Sequence, residues 1–325
     1  MRRLTLSTIA ALLATTAAAA QKANNWHKPT TRLVTLGNYV PELHSTALTL
    51  AAVVVDTQPL DRTVADAAWQ ALAFAGMGSG MRNGYQKKEF KTLIIWLCRE
   101  QDALTRAPDA QFPNRLHRLL MALVLTRAGL DANHNILSRF IEQSIKTATP
   151  RFEETGATPP TTEETVLLAM LAQSLKGSEF VRQQKQLLDL AKRGAAIAPK
   201  TKTRLHAAAR HYVELVAGTP HPPELTIANC WPDEPLANPL HAWLGAFAVR
   251  LLPASVRKAH WQRVAPLIEQ RPATGLWPGV GKQDSLRTSA MMLAVVGMCA
   301  RKAPLPKAIA DQRPKPGDPW QGPIR

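Results

Sequence analysis

The sequence has few cysteines, few aromatic residues and no convincing alternating pattern of the kind that β-strands require. Its three cysteines, Cys98, Cys230 and Cys299, cannot form a disulfide framework, although one bridge and one free thiol are allowed. None has the spacing of a zinc site, so we expect no metal. Cys98 and Cys299 lie in apolar segments, where buried thiols are the ordinary outcome.

Long apolar runs are missing after residue 20, which excludes further membrane spans. Residues 1–20 form a positive start with Arg2 and Arg3, an apolar run and three closing alanines, the pattern of a cleaved signal peptide. We expect a secreted or periplasmic protein, with no integral membrane domain once the signal is removed. The alternative is anchoring by an uncleaved N-terminal helix.

The rest of the chain divides by composition. Residues 21–35 are expected to be a linker, residues 36–302 a helical domain, and residues 303–325, which contain six prolines, a disordered tail. No cofactor is expected.

Negative charge is scarce. Removal of Arg2 and Arg3 with the signal leaves 38 basic residues against 24 acidic ones, a formal charge of +14. For an exported protein this favours an anionic lipid, a polysaccharide or a protein partner over nucleic acid. The alternative is that the scattered charge only keeps a helical protein soluble.

Apolar residues recur with a helical period along the chain. The pattern predicts helices at 41–56, 61–78, 87–103, 113–129, 132–147, 162–176, 180–195, 201–217, 237–252, 257–271 and 283–301. Some, such as 119–125, are apolar on every side, whereas 132–147 and 180–195 are amphipathic. Enclosed helices that alternate with half-exposed ones indicate two concentric helical layers.

A Leu-His pair opens four of these predicted helices: Leu43-His44, Leu116-His117, Leu205-His206 and Leu240-His241. Such recurrence is typical of helical repeats, and it could place histidines on one rim of a ring as acid/base groups or as a metal site. The alternative, which we favour, is that each histidine packs or caps its own helix junction. His206 and His211, five residues apart, point in different directions and are not a chelating pair.

Residues 65–103, 113–143 and 236–277 repeat one order: an apolar helix, a loop, and a second helix that ends near a glutamine. This order resembles the repeats of the squalene cyclase and protein prenyltransferase superfamily, over residues 60–302, and most resembles exported bacterial proteins with such repeats. The resemblance implies an all-α fold, an α/α toroid of helical hairpins. Its glutamine, glycine and tryptophan turn motif matches Gln270, Gly275 and Trp277, while Gln101 and Gln143 keep only the glutamine.

The catalytic motifs of that superfamily are missing. The chain has no Asp-x-Asp-Asp stretch, no Asp-x-Cys pair for zinc, and only 6% aromatic residues to stabilise carbocations. We therefore expect a non-catalytic binding or scaffold module for an envelope lipid, polymer or protein partner.

A second hypothesis is an enzyme that acts on a terpenoid or polysaccharide through carboxylates or histidines in the cavity. Its candidate catalytic residues are His117 and His241. In the polysaccharide version of this hypothesis, the candidate carboxylates are Glu163 and Glu164 or Asp233 and Glu234. Either pair would act with His241 and Tyr212.

Overall fold

The computed structural model describes residues 41–81, 84, 86–106, 115–132, 135–149, 152, 158–197, 203–271, 275–279 and 282–300. The predicted signal peptide (1–20), linker (21–35) and tail (303–325) lie outside the described residues. Within these ranges the protein is all helical and contains no strands, so the all-α class is confirmed. No helix of the described ranges combines the length and the apolar character that crossing a membrane requires.

Thirteen α-helices lie in the described ranges. They are α1 (Pro41–Asp56), α2 (Val64–Gly76), α3 (Lys87–Arg106), α4 (Arg115–Ala132), α5 (Asn135–Ala148), α6 (Thr162–Ser174), α7 (Val181–Ala196), α8 (Arg204–Val216), α9 (Pro223–Cys230), α10 (Pro239–Val249), α11 (Ala254–Val264), α12 (Pro266–Glu269) and α13 (Lys282–Ala300). A short 3-10 turn, Pro59–Asp61, precedes α2.

Side-chain caps explain where several helices begin. The hydroxyls of Thr63, Thr161 and Thr203 accept hydrogen bonds from backbone N–H groups at the starts of α2, α6 and α8. At Thr161 the cap is a full capping box, because the Glu164 carboxylate also accepts from the Thr161 backbone at 2.8 Å. Such caps satisfy N–H groups that have no partner inside the helix.

Two sequence predictions need correction. No helix is predicted between residues 217 and 237, yet Pro223 opens α9, because proline at the first helical position loses no hydrogen bond. The single helix expected at 257–271 starts earlier, at Ala254, and is divided into α11 and α12 just before Pro266. Proline lacks the N–H that a continuous helix would need there.

Six helices form a closed circuit of contacts. Helix α2 packs against α4, α4 against α6, α6 against α8, α8 against α10, α10 against α13, and α13 against α2. The others attach to this circuit or to one another: α3 packs on α2 and α4, α5 on α4, α7 on α6 and α8, and α9 on α8 and α10. Helices α1 and α11 both contact α13.

Burial differs between the two sets. Nearly every residue of α2, α6 and α10 is buried, whereas α3 and α7 bury one face only. Helix α8 belongs to the circuit but exposes Ala207 and Arg210. The buried side chains form one continuous hydrophobic cluster that runs from α1 to α13.

The contact between α2 and α13 is made backbone to backbone. A Cβ on Gly76 would lie 2.8 Å from the Ala294 Cα, and a Cβ on Gly297 would lie 2.9 Å from the Gly76 carbonyl carbon. Neither neighbour is a flexible side chain that could rotate away. Glycine at both positions therefore allows the first and last helices of the circuit to meet.

We predict that Gly76→Ala destabilises the fold by about 1–3 kcal/mol, because the added methyl overpacks a backbone contact. In an ordinary helix the same change stabilises by roughly 0.5–1 kcal/mol, so the sign is diagnostic. Urea unfolding followed by circular dichroism measures the difference. Ala207→Gly, at an exposed site on α8, is the control and should itself cost about 1 kcal/mol. Unchanged or increased stability of Gly76→Ala would contradict the close approach.

A second buried feature is the imidazole of His260 on α11, which is 2% exposed. Its ring lies edge-on to Trp231, with centroids 4.7 Å apart, and neither ring nitrogen has a hydrogen-bond partner. Burial, aided by the charge of Arg263, lowers the pKa of His260 to about 4. The neutral ring is therefore the form that the fold accepts.

This pKa sets a pH dependence of stability. The pKa of His260 is about 6.5 in the unfolded chain and about 4 in the folded protein. Between these pH values the unfolded state binds more protons, so stability falls as the pH drops from 6.5 to 4. We predict that His260→Phe removes about 3 kcal/mol of the acid-induced loss between pH 7 and pH 4. Urea unfolding of both proteins at the two pH values tests this. If the free energy of unfolding falls by the same amount in both proteins, folding does not lower the pKa of His260.

Candidate anion-binding cavity

A cavity of about 140 Å³ lies where the C-terminal ends of four circuit helices meet. Its walls come from helices α2, α4, α10 and α13. Arg250, which follows α10, and Arg257 of α11 complete them. The lining residues are Leu72, Ala75, Gly76, Arg127, Trp243, Ala246, Val249, Arg250, Arg257, Met298 and Cys299.

Three arginines make the cavity positive, and none of the described residues that line it is acidic. The Arg127 guanidinium lies over the Phe247 ring at 5.1 Å, which orients it from α4 towards α10. Arg257 donates from Nη1 to the carbonyls of Arg250 and Leu252, at 3.3 and 2.9 Å. Its buried Nε has no hydrogen-bond partner. Arg250 directly follows the last residue of α10, so it also interacts favourably with the negative end of that helix dipole.

The inner wall of the cavity is aromatic and apolar. Trp243 packs edge-on against Trp69 of α2 and against Phe247, with centroids 4.8 and 5.1 Å apart. The fully buried Tyr212 lies close enough for the charges of Arg250 and Arg127 to act on it, and its hydroxyl has no partner. Burial raises the pKa of Tyr212 more than the two arginines lower it, so the phenol stays neutral.

The size and chemistry of the cavity indicate its ligand class. Guanidinium groups bind carboxylate and phosphate oxygens through paired N–H donors. The volume is below the roughly 300–1,000 Å³ of ordinary small-molecule pockets, so a whole lipid does not fit. A small anionic group with a short apolar attachment does fit.

A larger depression of about 740 Å³ lies on α7 and is lined by that helix alone. Its residues include Arg182, Lys185, Lys192 and Arg193, with Asp189 among them. Residues of a single amphipathic helix that face water are the ordinary solvated face of that helix. We treat this basic surface as a comparison site for the cavity.

The histidines predicted from the Leu-His pairs lie at the other end of the circuit helices. His117, His206 and His241 are each the third residue of their helix, α4, α8 and α10. His117 and His241 precede Arg127 and Arg250 by nine or ten residues, about 14–15 Å along a helix. The fourth pair begins α1, which is not part of the circuit, and the His44 side chain lies outside the described residues.

Each of these histidines has its own local partners. Burial and the charge of Arg287 lower the pKa of His117, while Asp66 raises it. The Nδ1 of His206 lies 3.4 Å from the Thr162 hydroxyl of α6. Burial lowers the pKa of His241, whereas a backbone hydrogen bond with Asn229 raises it.

Two of the four carboxylates of the enzyme hypothesis pair with arginines. Glu164 accepts two hydrogen bonds of 3.0 Å from Arg115, in addition to capping α6. Asp233 is exposed and pairs with Arg204, and Glu234 is exposed beside it. Tyr212 is fully buried in the C-terminal half of α8, and the described residues that line the cavity include neither Tyr212 nor His241 nor any of these carboxylates.

The three residues that match the glutamine, glycine and tryptophan turn motif differ in burial and in their hydrogen bonds. Trp277 is fully buried; its indole donates to the Leu267 carbonyl and its backbone N–H to the Ser289 hydroxyl, both at 2.8 Å. Gly275 has φ 80° and accepts a 2.6 Å hydrogen bond from Thr46 of α1. Gln270 is exposed at the end of α12.

Two glutamines lie between other helices. Gln101 of α3 is buried and donates to the Thr147 hydroxyl of α5 at 3.1 Å. Gln143 is half-buried, and its Oε1 has no partner.

Sequence reasoning missed Arg127, Arg250 and Arg257. A signal existed, because Arg127 and Arg250 stand near the C-terminal ends of predicted apolar helices, where a cation is favoured. Nothing in their spacing shows that they share one cavity.

Comparisons with protein-family models, with curated proteins and with solved structures find no match to this chain.

The cavity also gives a prediction on thiol reactivity. All three cysteines are free, and burial raises the pKa of the Cys299 thiol to about 12. At pH 8 only about one Cys299 in 10⁴ is then the reactive thiolate, against roughly a quarter of ordinary thiols. We predict that iodoacetamide modifies Cys299 at least 100-fold more slowly in the native protein than in urea. Peptide mass spectrometry measures the rates, with buried Cys98 as the internal control. If iodoacetamide modifies Cys299 as fast in the native protein as in urea, the pKa of this thiol is not raised by burial.

Proposed function

We propose that this protein is an exported α/α toroid of the squalene cyclase and protein prenyltransferase repeat type, acting as a non-catalytic binding module. The closed circuit of α2, α4, α6, α8, α10 and α13, with the remaining helices packed on it, supports the toroid. Trp277 supports the repeat type, because it joins α12 to α13 where the resemblance places a junction tryptophan. Export is supported by the composition of residues 1–20.

The ligand that we propose is the phosphate-bearing headgroup of an anionic envelope lipid. The observation that carries this proposal is the cavity with three arginines, apolar walls and no acidic lining residue. The arginines match a phosphate, and Leu72, Val249 and Met298 match the first carbons attached to it. The acyl chains would remain outside, because about 140 Å³ cannot hold them. The net positive charge of the chain would increase the rate of encounter with an anionic surface.

Catalysis has less support among the described residues. His117 and His241 lie about 14–15 Å along their helices from the arginines, and Glu164 is held by Arg115. A general acid or base must reach the reacting atom directly or through one water.

The binding test uses isothermal titration calorimetry with short-chain dihexanoyl phosphatidic acid at low salt. We expect Arg127→Gln and Arg250→Gln each to weaken binding at least about tenfold, since a hydrogen bond to a charged group contributes roughly 1.5–3 kcal/mol. Dihexanoyl phosphatidylcholine, which has no net charge, should bind much more weakly. Thermal unfolding of each variant checks that the fold is retained.

Arg182→Gln, on the basic face of α7, is the matched control because it removes the same charge outside the cavity. Inorganic phosphate is the second control. If phosphate alone binds as tightly as the lipid, the ligand is a free anion. An absence of binding, or an equal loss in Arg182→Gln, would refute the proposed site.

A further inference from the structure

We propose that His211, Glu214 and His221 form a binding site for a zinc-like divalent transition-metal ion. The three side chains lie at the C-terminal end of α8 and in the loop that follows, and their ligand atoms are all within 4.8 Å of one another. None of these residues lines the arginine cavity. The site is therefore separate from the proposed anion-binding function and does not depend on it.

Helix geometry brings the first two ligands together. His211 and Glu214 are three residues apart on α8, so they share one face. His211 is 6% exposed, whereas the Glu214 side chain is 38% exposed. One ligand thus lies in the protein interior and the other reaches solvent, which leaves a path by which an ion can enter.

The loop after α8 returns the third ligand to the same place. Gly218 has φ 93°, and the N–H of Thr219 donates to the Glu214 carbonyl at 2.9 Å, which reverses the chain at the helix end. Pro220 and Pro222 flank His221 and fix the backbone on both sides of it. His221 is thereby held with its ring centroid 4.2 Å from that of His211.

The polar atoms of this cluster are poorly satisfied as they stand. Among the residues that the structure describes, the buried Nε2 of His211 has no hydrogen-bond partner. The Nε2 of His221 lies 3.4 Å from Glu214 Oε2 without the geometry of a hydrogen bond. Buried polar atoms without partners cost free energy, and a shared metal ion would satisfy both rings and the carboxylate at once.

The donor set indicates which ions fit. Two imidazoles and one carboxylate suit zinc and similar transition metals, whereas Ca²⁺ and Mg²⁺ prefer oxygen ligands throughout. Zinc ligands lie about 2.0–2.2 Å from the ion, which places tetrahedral ligand atoms about 3.3–3.6 Å apart. Small side-chain rotations close the difference from 4.8 Å. The three ligands leave a fourth position for water or for a ligand atom from a partner.

One neighbouring charge competes with a metal ion for the Glu214 carboxylate. The Glu214 Oε1 lies 3.4 Å from Arg210 Nε, in an exposed pair that costs little to break.

The test titrates Zn²⁺ into untagged, metal-free full-length protein at pH 7.5, with a chromophoric chelator as competitor. We expect one ion per chain and a rise in the unfolding temperature on binding. His221→Ala and Glu214→Gln should each weaken binding at least 10-fold and remove the zinc-dependent shift. His206→Ala, on the same helix but outside the cluster, should bind zinc like the wild type.

Both test variants change side chains that reach solvent, so circular dichroism should show an intact fold. Co²⁺ provides a second readout, because tetrahedral coordination gives an intense visible spectrum that His221→Ala should lack. The proposal is overturned if the chain binds no zinc, or if His221→Ala and Glu214→Gln bind it as tightly as the wild type. If the wild-type protein binds zinc but not the lipid, the proposed anion site is refuted and the metal site is not.

Discussion

The close approach of α2 and α13 is the constraint on which the rest of the structure depends. Gly76 and Gly297 let two helices that lie more than 200 residues apart in sequence meet backbone to backbone. Without this contact the six circuit helices would form an open row with two exposed apolar ends. With it, every circuit helix has two circuit neighbours, and helices such as α2, α6 and α10 can be apolar on all sides.

Closure also places different charged groups at the two ends of the circuit helices. The C-terminal ends of α2, α4, α10 and α13 converge on the cavity that Arg127, Arg250 and Arg257 line. At the N-terminal ends, Asp66 pairs with Arg287 and Glu164 with Arg115, and both acids stand in the first turn of their helices. Carboxylates at helix starts stabilise the helix dipole, so their positions have a structural cause.

The sequence predicted the all-α class and most helix positions, because a 3.6-residue apolar period is a local property that one segment shows by itself. It missed α9 because prolines usually mark a break, and only the surrounding fold shows that Pro223 is a helix start. The sites were harder to predict. Arg127 and Arg250 converge only through closure, and His221 reaches His211 only through the turn at Gly218. The sequence analysis rejected His206 and His211 as a chelating pair, but nothing in the sequence indicated that the ring of His221 lies beside that of His211.

Native-state hydrogen exchange tests the closed circuit most directly. In an open row of helices the end elements unfold first, with lower protection than the middle. A closed circuit predicts that the amides of α2 and α13 exchange only through global unfolding, with the same free energy as those of α6. Exchange of α13 at a much lower free energy, independent of α2, would contradict the closure at Gly76 and Gly297.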